Sequence, residues 1–361
     1  MRPLSELRAG AWRIRERWER ALGVAASAIV GAHVESFADV DAPPVLRAVS
    51  GSRFLAASWF APASGQLTLE PGVRRLVHRG ETVACLGSSR GAARLDDDGP
   101  AQEIEGVRLA GAYDLLRALE LLLGPDCAAM QGGGALPPGT ILLGSPDRVI
   151  SQGAVIEPGV VFDVRNGAVV LEAGAEVRSG TRLEGPCWIA AGARVVGGFI
   201  RGSVIGPRCV ARGEISSSVF LGYANKAHEG FVGHSVIGHW ANLGAGTTTS
   251  NLKNTYGPIR LEADGSRIET GRTFLGSLIG DHAKTAIGTM LPTGTIVGAG
   301  ANVFGHAPVP KHVPAFAWGS NGERLSEEGF LRIAGRVLPR RDVELTEERA
   351  ASLTATYRRL A

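Results

Sequence analysis

The chain has 361 residues, of which 44% are hydrophobic but only 6% aromatic, and a formal net charge of +3. That length holds two or three domains. The small charge without a long basic run excludes nucleic acid as the main partner, and no run of about eighteen apolar residues offers a membrane span. Four cysteines, Cys85, Cys127, Cys187 and Cys209, lack C-x-x-C spacing. They read as free thiols in a reducing, cytoplasmic compartment.

The first 22 residues are Arg-rich and resemble a transit peptide in composition alone. Leu4, Leu7, Ala11, Ile14 and Trp18 fall at helical spacing, however, so an amphipathic helix is the expectation. Ala25 to Ala32 reads as a buried strand. Leu46 to Ala61, Gln66 to Leu69 and Thr82 to Leu86 read as further strands between turns. Ala110 to Leu123 reads as a helix carrying Leu115, Leu116, Leu119 and Leu122 on one side. These elements make an α/β domain over residues 1–135, ending in a linker rich in glycine and proline from Gln131 to Gly139.

Leu171, Val177, Leu183, Ile189 and Val195 then recur every six residues, each later one preceded two positions earlier by a small residue. The register returns at Ile237, Leu243 and Thr249, and again at Ile279, Thr285, Leu291, Val297 and Val303. A six-residue period fits neither helix nor alternating strand; it marks hexapeptide repeats of a parallel β-helix. Three short strands close each triangular coil, the aliphatic knob fills the prism, and neighbouring coils must stack to bury it. This predicts a β-helix over residues 140–305.

Two stretches leave the period: Val196 to Gly230 and the polar Leu252 to Thr273, which contains Asp264-Gly265. Insertions of this kind map to loops leaving a corner. Over residues 306–361 an extended Pro-rich segment precedes two expected helices, Ser326 to Leu338 and Glu344 to Leu360. Outward apolar residues Val170, Val196, Phe199, Val219 and Trp240 predict a subunit interface, met by a homotrimer whose polar excursion reaches a neighbour's groove.

Polar residues gather between Asn225 and Tyr256. Running the period backward from Ile237 puts Phe231 and Asn225 at knob positions and His228 at mid-strand or corner, as a proton acceptor or as a plain surface histidine. Asn242, Asn251, Lys253, Asn254 and Tyr256 suit a sugar bearing a phosphate, because amides bind hydroxyls and lysine meets the anion. An asparagine ladder is the competing reading. His228, His234 and His239 raise a metal site, but residues 150 to 227 hold no histidine to complete it, so no metal is expected. Gly87-Ser88-Ser89-Arg90-Gly91 follows a strand and reads as a hairpin turn more readily than as a phosphate loop.

The blocks Asn225-Lys226-Ala227-His228, Asn242 through Thr247 and Ser250 through Asn254 resemble the bifunctional glucosamine-1-phosphate N-acetyltransferase / N-acetylglucosamine-1-phosphate uridylyltransferase family. A divergent branch of sugar nucleotidyltransferases is similar also at Gly280-Asp281-His282-Ala283-Lys284, Pro314 through Gly319, Arg2 through Gly10 and Tyr113 through Leu116. The resemblance implies a trimer of left-handed β-helices binding acetyl-CoA and an amino-sugar 1-phosphate between subunits. It assigns the catalytic role to His228 and sugar contacts to Asn242 and Asn251, beside Asn225. Lys226 and Lys253 become candidates for the phosphate, with Tyr256 nearby, and Gly244, Ala245 and Gly246 for the pantetheine. Phe231 stands where the family has tyrosine, which removes one hydroxyl contact.

The function implied is acetyl-CoA-dependent N-acetylation within UDP-N-acetylglucosamine and cell-envelope precursor synthesis. A second reading keeps nucleotidyl transfer from UTP or dTTP with Mg²⁺, the β-helix serving to trimerise. It requires a first strand and a Gly-rich phosphate loop that the family carries before the position of Met1. A third reading is a non-catalytic scaffold, because stacking needs only the knobs.

Overall fold

The six-residue period closes into a three-sided parallel β-helix. The computed structural model describes all residues except 1, 32, 33, 35, 36, 38, 40, 41, 48–50, 88–92, 95, 96, 133–135, 264, 306, 307, 320 and 321. The first face begins with Ile141–Leu143 and runs through Thr181–Glu184 to Phe231–Gly233, then on to Thr248–Thr249 and Met290–Leu291. The second face runs from Val149–Ser151 to His312–Val313, and the third from Val155–Ile156 to Ala317–Trp318. Each strand pairs in parallel with its counterpart one coil away. The coils therefore continue past Gly305 to Trp318, further than the repeat pattern alone indicated.

The interior is a column of aliphatic side chains, with Leu171, Ile189, Ile205, Phe220 and Ile237 stacked beneath the second face and none exposed. Leu171 to Ile189 spans eighteen residues, but the next three steps span sixteen, fifteen and seventeen. The loss of period after Val195 thus reflects shortened corners and adds no loop. At the corner from first to second face, Gly202, Ser217 and His234 turn the chain with φ of 53°, 47° and 46°. A buried serine ladder closes that corner: Ser203 Oγ accepts from the Ser218 N–H at 3.0 Å, Ser218 Oγ from Ser235 at 3.1 Å, and Ser235 Oγ from Ser277 at 2.9 Å. Each hydroxyl supplies an acceptor that a longer corner would have drawn from the backbone.

The N-terminal domain corrects several expectations. The helix is only Ile14–Leu22 (α1), because Arg8–Ala9 and Trp12–Arg13 pair as a hairpin whose turn holds Gly10 at φ 70°. A Cβ at Gly10 would lie within 2.5 Å of the Arg17 and Asp126 side chains. Those two form a buried ion pair, and Asp126 also accepts from the Ala11 N–H at 2.8 Å. Ile29–Val30 is a short strand paired with Val45–Leu46. A four-stranded sheet joins Phe54–Ala56, Glu81–Leu86, Arg75–His78 and Ala101–Glu103, while Phe60–Pro62 pairs with Gly106–Arg108. Gln66 to Leu69 forms no strand, and the long strand expected from Leu46 to Ala61 is three short ones. The second helix, Asp114–Ala128 (α2), carries Leu115, Leu116, Leu119 and Leu122 inward as expected.

This domain lies on the outer side of the second face. Its Trp12, Leu119, Leu122 and Cys127 form one buried cluster with outward-pointing Val170, Trp188, Val204, Val219 and Val236 of the coils. Val170 and Val219 are therefore outward but fully buried within the chain, and supply no subunit interface. Val196, Phe199 and Trp240 stay partly exposed. The excursion after Asn251 also turns back on its own chain. It forms the hairpin Arg260–Ala263 with Ser266–Glu269, buries Ile259 and Leu261 in the same cluster, and pairs Arg272 with Glu120 of α2.

Beyond the coils, Glu327–Val337 (α3) is capped by Ser326 Oγ and Glu347–Leu360 (α4) by Thr346 Oγ1, as Ser, Thr and acidic first-turn residues favour. Phe330 and Tyr357 pack these helices on Phe316 of the last coil, at ring separations of 5.0 and 4.5 Å.

Candidate active site

Lys226 occupies the interior position of its coil and Asn225 the outward one, one residue out of step with the backward-run period. The same shift turns Phe231 outward and puts Val232 inside. Lys226 is 0% exposed. Its ammonium donates to the carbonyls of His228 and of Glu229, the latter at 2.9 Å. This engagement corrects the expected phosphate contact, since a buried ammonium held by carbonyls has no path to a solvent-borne anion. Burial drives its pKa down to about 8, with Glu229 opposing.

The main chain that Lys226 holds is the edge between third and first faces, and there His228 stands exposed. The next coil passes the same edge through Gly244-Ala245-Gly246, whose Gly246 N–H donates to the Glu229 carbonyl at 3.0 Å. A Cβ on Gly244 would sit 2.6 Å from the Ala286 backbone, so coil stacking alone demands glycine there. Ile287 and Met290 continue that edge and the first face, at 82% and 77% exposure.

On the third face, Asn225, Asn242, Lys284 and Asn302 form an outward column, paired coil to coil. Asn225 Nδ2 donates to Asn242 Oδ1 at 2.9 Å, the asparagine ladder weighed from sequence. Arg341, between α3 and α4, donates to Asn225 Oδ1 at 3.3 Å. Lys284 is half-buried, donates to the His282 carbonyl at 2.9 Å, and is lowered to about 8 by burial. Lys284 falls within one of the similar blocks, yet neither it nor Asn302 nor Arg341 drew a site role from sequence. The knob register had the signal for the first two, since Leu243, Thr285 and Val303 place Asn242, Lys284 and Asn302 at equivalent positions.

On the first face, Asn251 lies at the far corner from His228. Its Nδ2 meets His234 Nδ1 at 2.9 Å, and the His234 ring stacks on Phe274 at 5.1 Å. Burial, reinforced by Arg272, holds His234 below the usual histidine range. The Phe231 ring and the Asn251 amide both lie over Gly233. Lys253 donates to the Pro258 carbonyl, and Tyr256 is 72% exposed on the excursion. One chain therefore does not gather the predicted residues round a single point. Asn225 and Asn242 lie on one face, Phe231 and Asn251 on the next, and His228 with the glycine corner on the edge between. His228, His234 and His239 stand on three different corners. Of the Gly87–Gly91 loop, Ser88 to Gly91 lie outside the described residues.

Comparison with known proteins bears on this arrangement. Residues 1–131 match the sugar nucleotidyl transferase family. The chain is 35% identical over 100 residues to a bifunctional sugar-1-phosphate nucleotidylyltransferase/acetyltransferase of Sulfurisphaera tokodaii, covering 28% of this chain and 25% of that protein. It is 32% identical over 224 residues to the bifunctional protein GlmU of Jannaschia sp. (strain CCS1), covering 59% of this chain and 43% of that one. The chain thus spans under half the length of these two relatives, the first of which is a transferase by name. A solved Arabidopsis UDP-N-acetylglucosamine acyltransferase overlaps 55% of this chain and 77% of its own at 15% identity, with a TM-score of 0.30.

Proposed function

We propose that the chain transfers an acetyl group from acetyl-CoA to the amine of an amino-sugar 1-phosphate at the edge carrying His228. The observation that supports this is an exposed imidazole whose backbone is clamped from inside by Lys226, beside a backbone corner open to solvent. His228 takes a proton from the amine as its nitrogen attacks the thioester carbonyl, a contribution of about 10² to 10⁴-fold. A corner N–H steadies the oxyanion, and collapse expels the CoA thiolate. Because Asn225 and Asn242 face away from Phe231 and Asn251, the full site requires a neighbour, and the second face is already occupied by the chain's own domain. The first face, with Phe199, Phe231 and Met290, takes the neighbour in a homotrimer. Thiol release from acetyl-CoA with glucosamine 1-phosphate tests the reading, and equal rates for wild type and His228→Ala would sink it.

The match of residues 1–131 to sugar nucleotidyl transferases favours a second activity, transfer of a nucleotide from UTP or dTTP with Mg²⁺. Exchange of labelled pyrophosphate into the nucleotide measures it directly, and none would leave this domain as a cover for the second face.

A further inference from the structure

The corner from second to third face carries a feature that neither reading uses. Its turning residue is left-handed in successive coils. It is glycine at Gly153, Gly174, Gly192 and Gly300 and Arg208 at φ 53°, but Tyr223, Trp240, His282 and Phe316 in the other coils, with φ of 56°, 62°, 61° and 58°. Bulky residues rarely accept this conformation, and such outliers gather where a surface is used. Tyr223 and Trp240 stack at 4.5 Å between centroids, and Trp240 and His282 lie nearly parallel at 6.2 Å.

This aromatic wall lines a cavity of about 320 Å³, closed by Arg2 on one side and by α4 on the other. That volume is at the lower end of small-molecule sites, and the lining joins aromatic and aliphatic side chains with four charged ones, Arg2, Asp39, Asp281 and Arg349. The charges are separated. Arg2 is held between Asp39 at 2.9 Å and Asp281 at 3.4 Å, and Asp281 also accepts from the His239 N–H at 2.8 Å. Arg349 of α4 donates to the Glu344 carbonyl at 2.8 Å, and no described carboxylate pairs with it.

We propose that this cavity binds a nucleoside monophosphate. The base lies against the Trp240 wall, the ribose hydroxyls donate toward Asp281, and the single phosphate meets Arg349. Tyr223 and His282 cover the two faces of Trp240, so the wall offers ring edges. These meet the face of a planar base edge to face and give a bare sugar phosphate nothing comparable. One uncompensated guanidinium matches one phosphate and not a triphosphate. The site is about the solenoid corner and does not depend on the acetyltransfer reading.

The test titrates UMP, AMP and the corresponding nucleosides by calorimetry against the full chain. Saturable binding of a monophosphate at least about tenfold tighter than its nucleoside is the expected result. Arg349→Gln, a partly exposed helix change, should erase that difference while leaving nucleoside affinity intact. Trp240→Asn, which tolerates the left-handed turn, should weaken both ligands. Absence of binding at millimolar concentration, or binding that survives both substitutions, overturns the proposal.

Discussion

Trp12 of the N-terminal hairpin meets Trp188 of the third coil edge to face, with ring centroids 6.0 Å apart. Trp188 is fully buried although it points away from the prism, and its indole N–H donates to Glu172 at 3.0 Å. Trp188→Ala removes a buried ring from the seam between domain and solenoid, and should cost about 3–5 kcal/mol. Urea unfolding measures the loss.

Lys226 gives a pH signature. Its pKa falls from 10.5 unfolded to about 8 folded, so the folded state releases the proton first. The cost of burying the charge is present below pH 8 and is relieved as pH rises towards 10.5, so stability should increase across that window. Lys284, lowered equally, adds to the trend. Urea midpoints at pH 7 and 9.5 should rise in wild type and rise less in Lys226→Met. At pH 7 that variant also strands the His228 and Glu229 carbonyls, so acetyl transfer should drop with the chain still folded.

His282 acts in the opposite range. Burial, with Lys284 and Arg2 nearby, holds it at about 3 against 6.5 unfolded. The unfolded chain therefore gains a proton between pH 6.5 and 3 that the folded chain refuses, and stability falls on acidification there. His282→Gln should flatten that part of the acid-unfolding curve.

Gly244→Ala separates stacking from cofactor contact. The added methyl meets backbone that cannot swing aside, so stability should fall by about 1–3 kcal/mol. A variant as stable as wild type yet poorer in acetyl-CoA affinity would assign Gly244 to the pantetheine instead.

Assembly is open to light scattering. Met290→Glu and Ile287→Asp place charge on exposed apolar positions of the first face and its edge. They should convert a trimer to monomers and abolish acetyl transfer together. A wild-type monomer with full activity on dilution would remove the shared site.

The solenoid was legible because every coil must present an aliphatic knob to the same prism, and Leu171 to Val195 repeat that demand without interruption. Legibility failed where length was lost at corners. Three short steps after Ile189 moved Asn225 and Phe231 outward and drew Lys226 inside, and only the serine ladder records the compensation. Helical spacing of Leu4 to Trp18 misled because the Gly10 turn is dictated by Arg17 and Asp126, which are far apart in sequence. Val170 and Val219 were rightly read as outward. Which surface covers them is a long-range fact that no local pattern contains.

The cover on the second face alters how the coils come apart. A bare stack of coils frays from either end, one rung after another, because each rung touches only its neighbours. Here a single body is bolted across several rungs at once, from Val170 to Val236, and the excursion returns at Leu275 to extend the seam. Amide hydrogens in those rungs should then exchange only when the whole molecule opens, whereas the last rungs, held at Phe316 by Phe330 and Tyr357, exchange through a smaller opening. The gradient of protection along the axis would trace the outline of the cover.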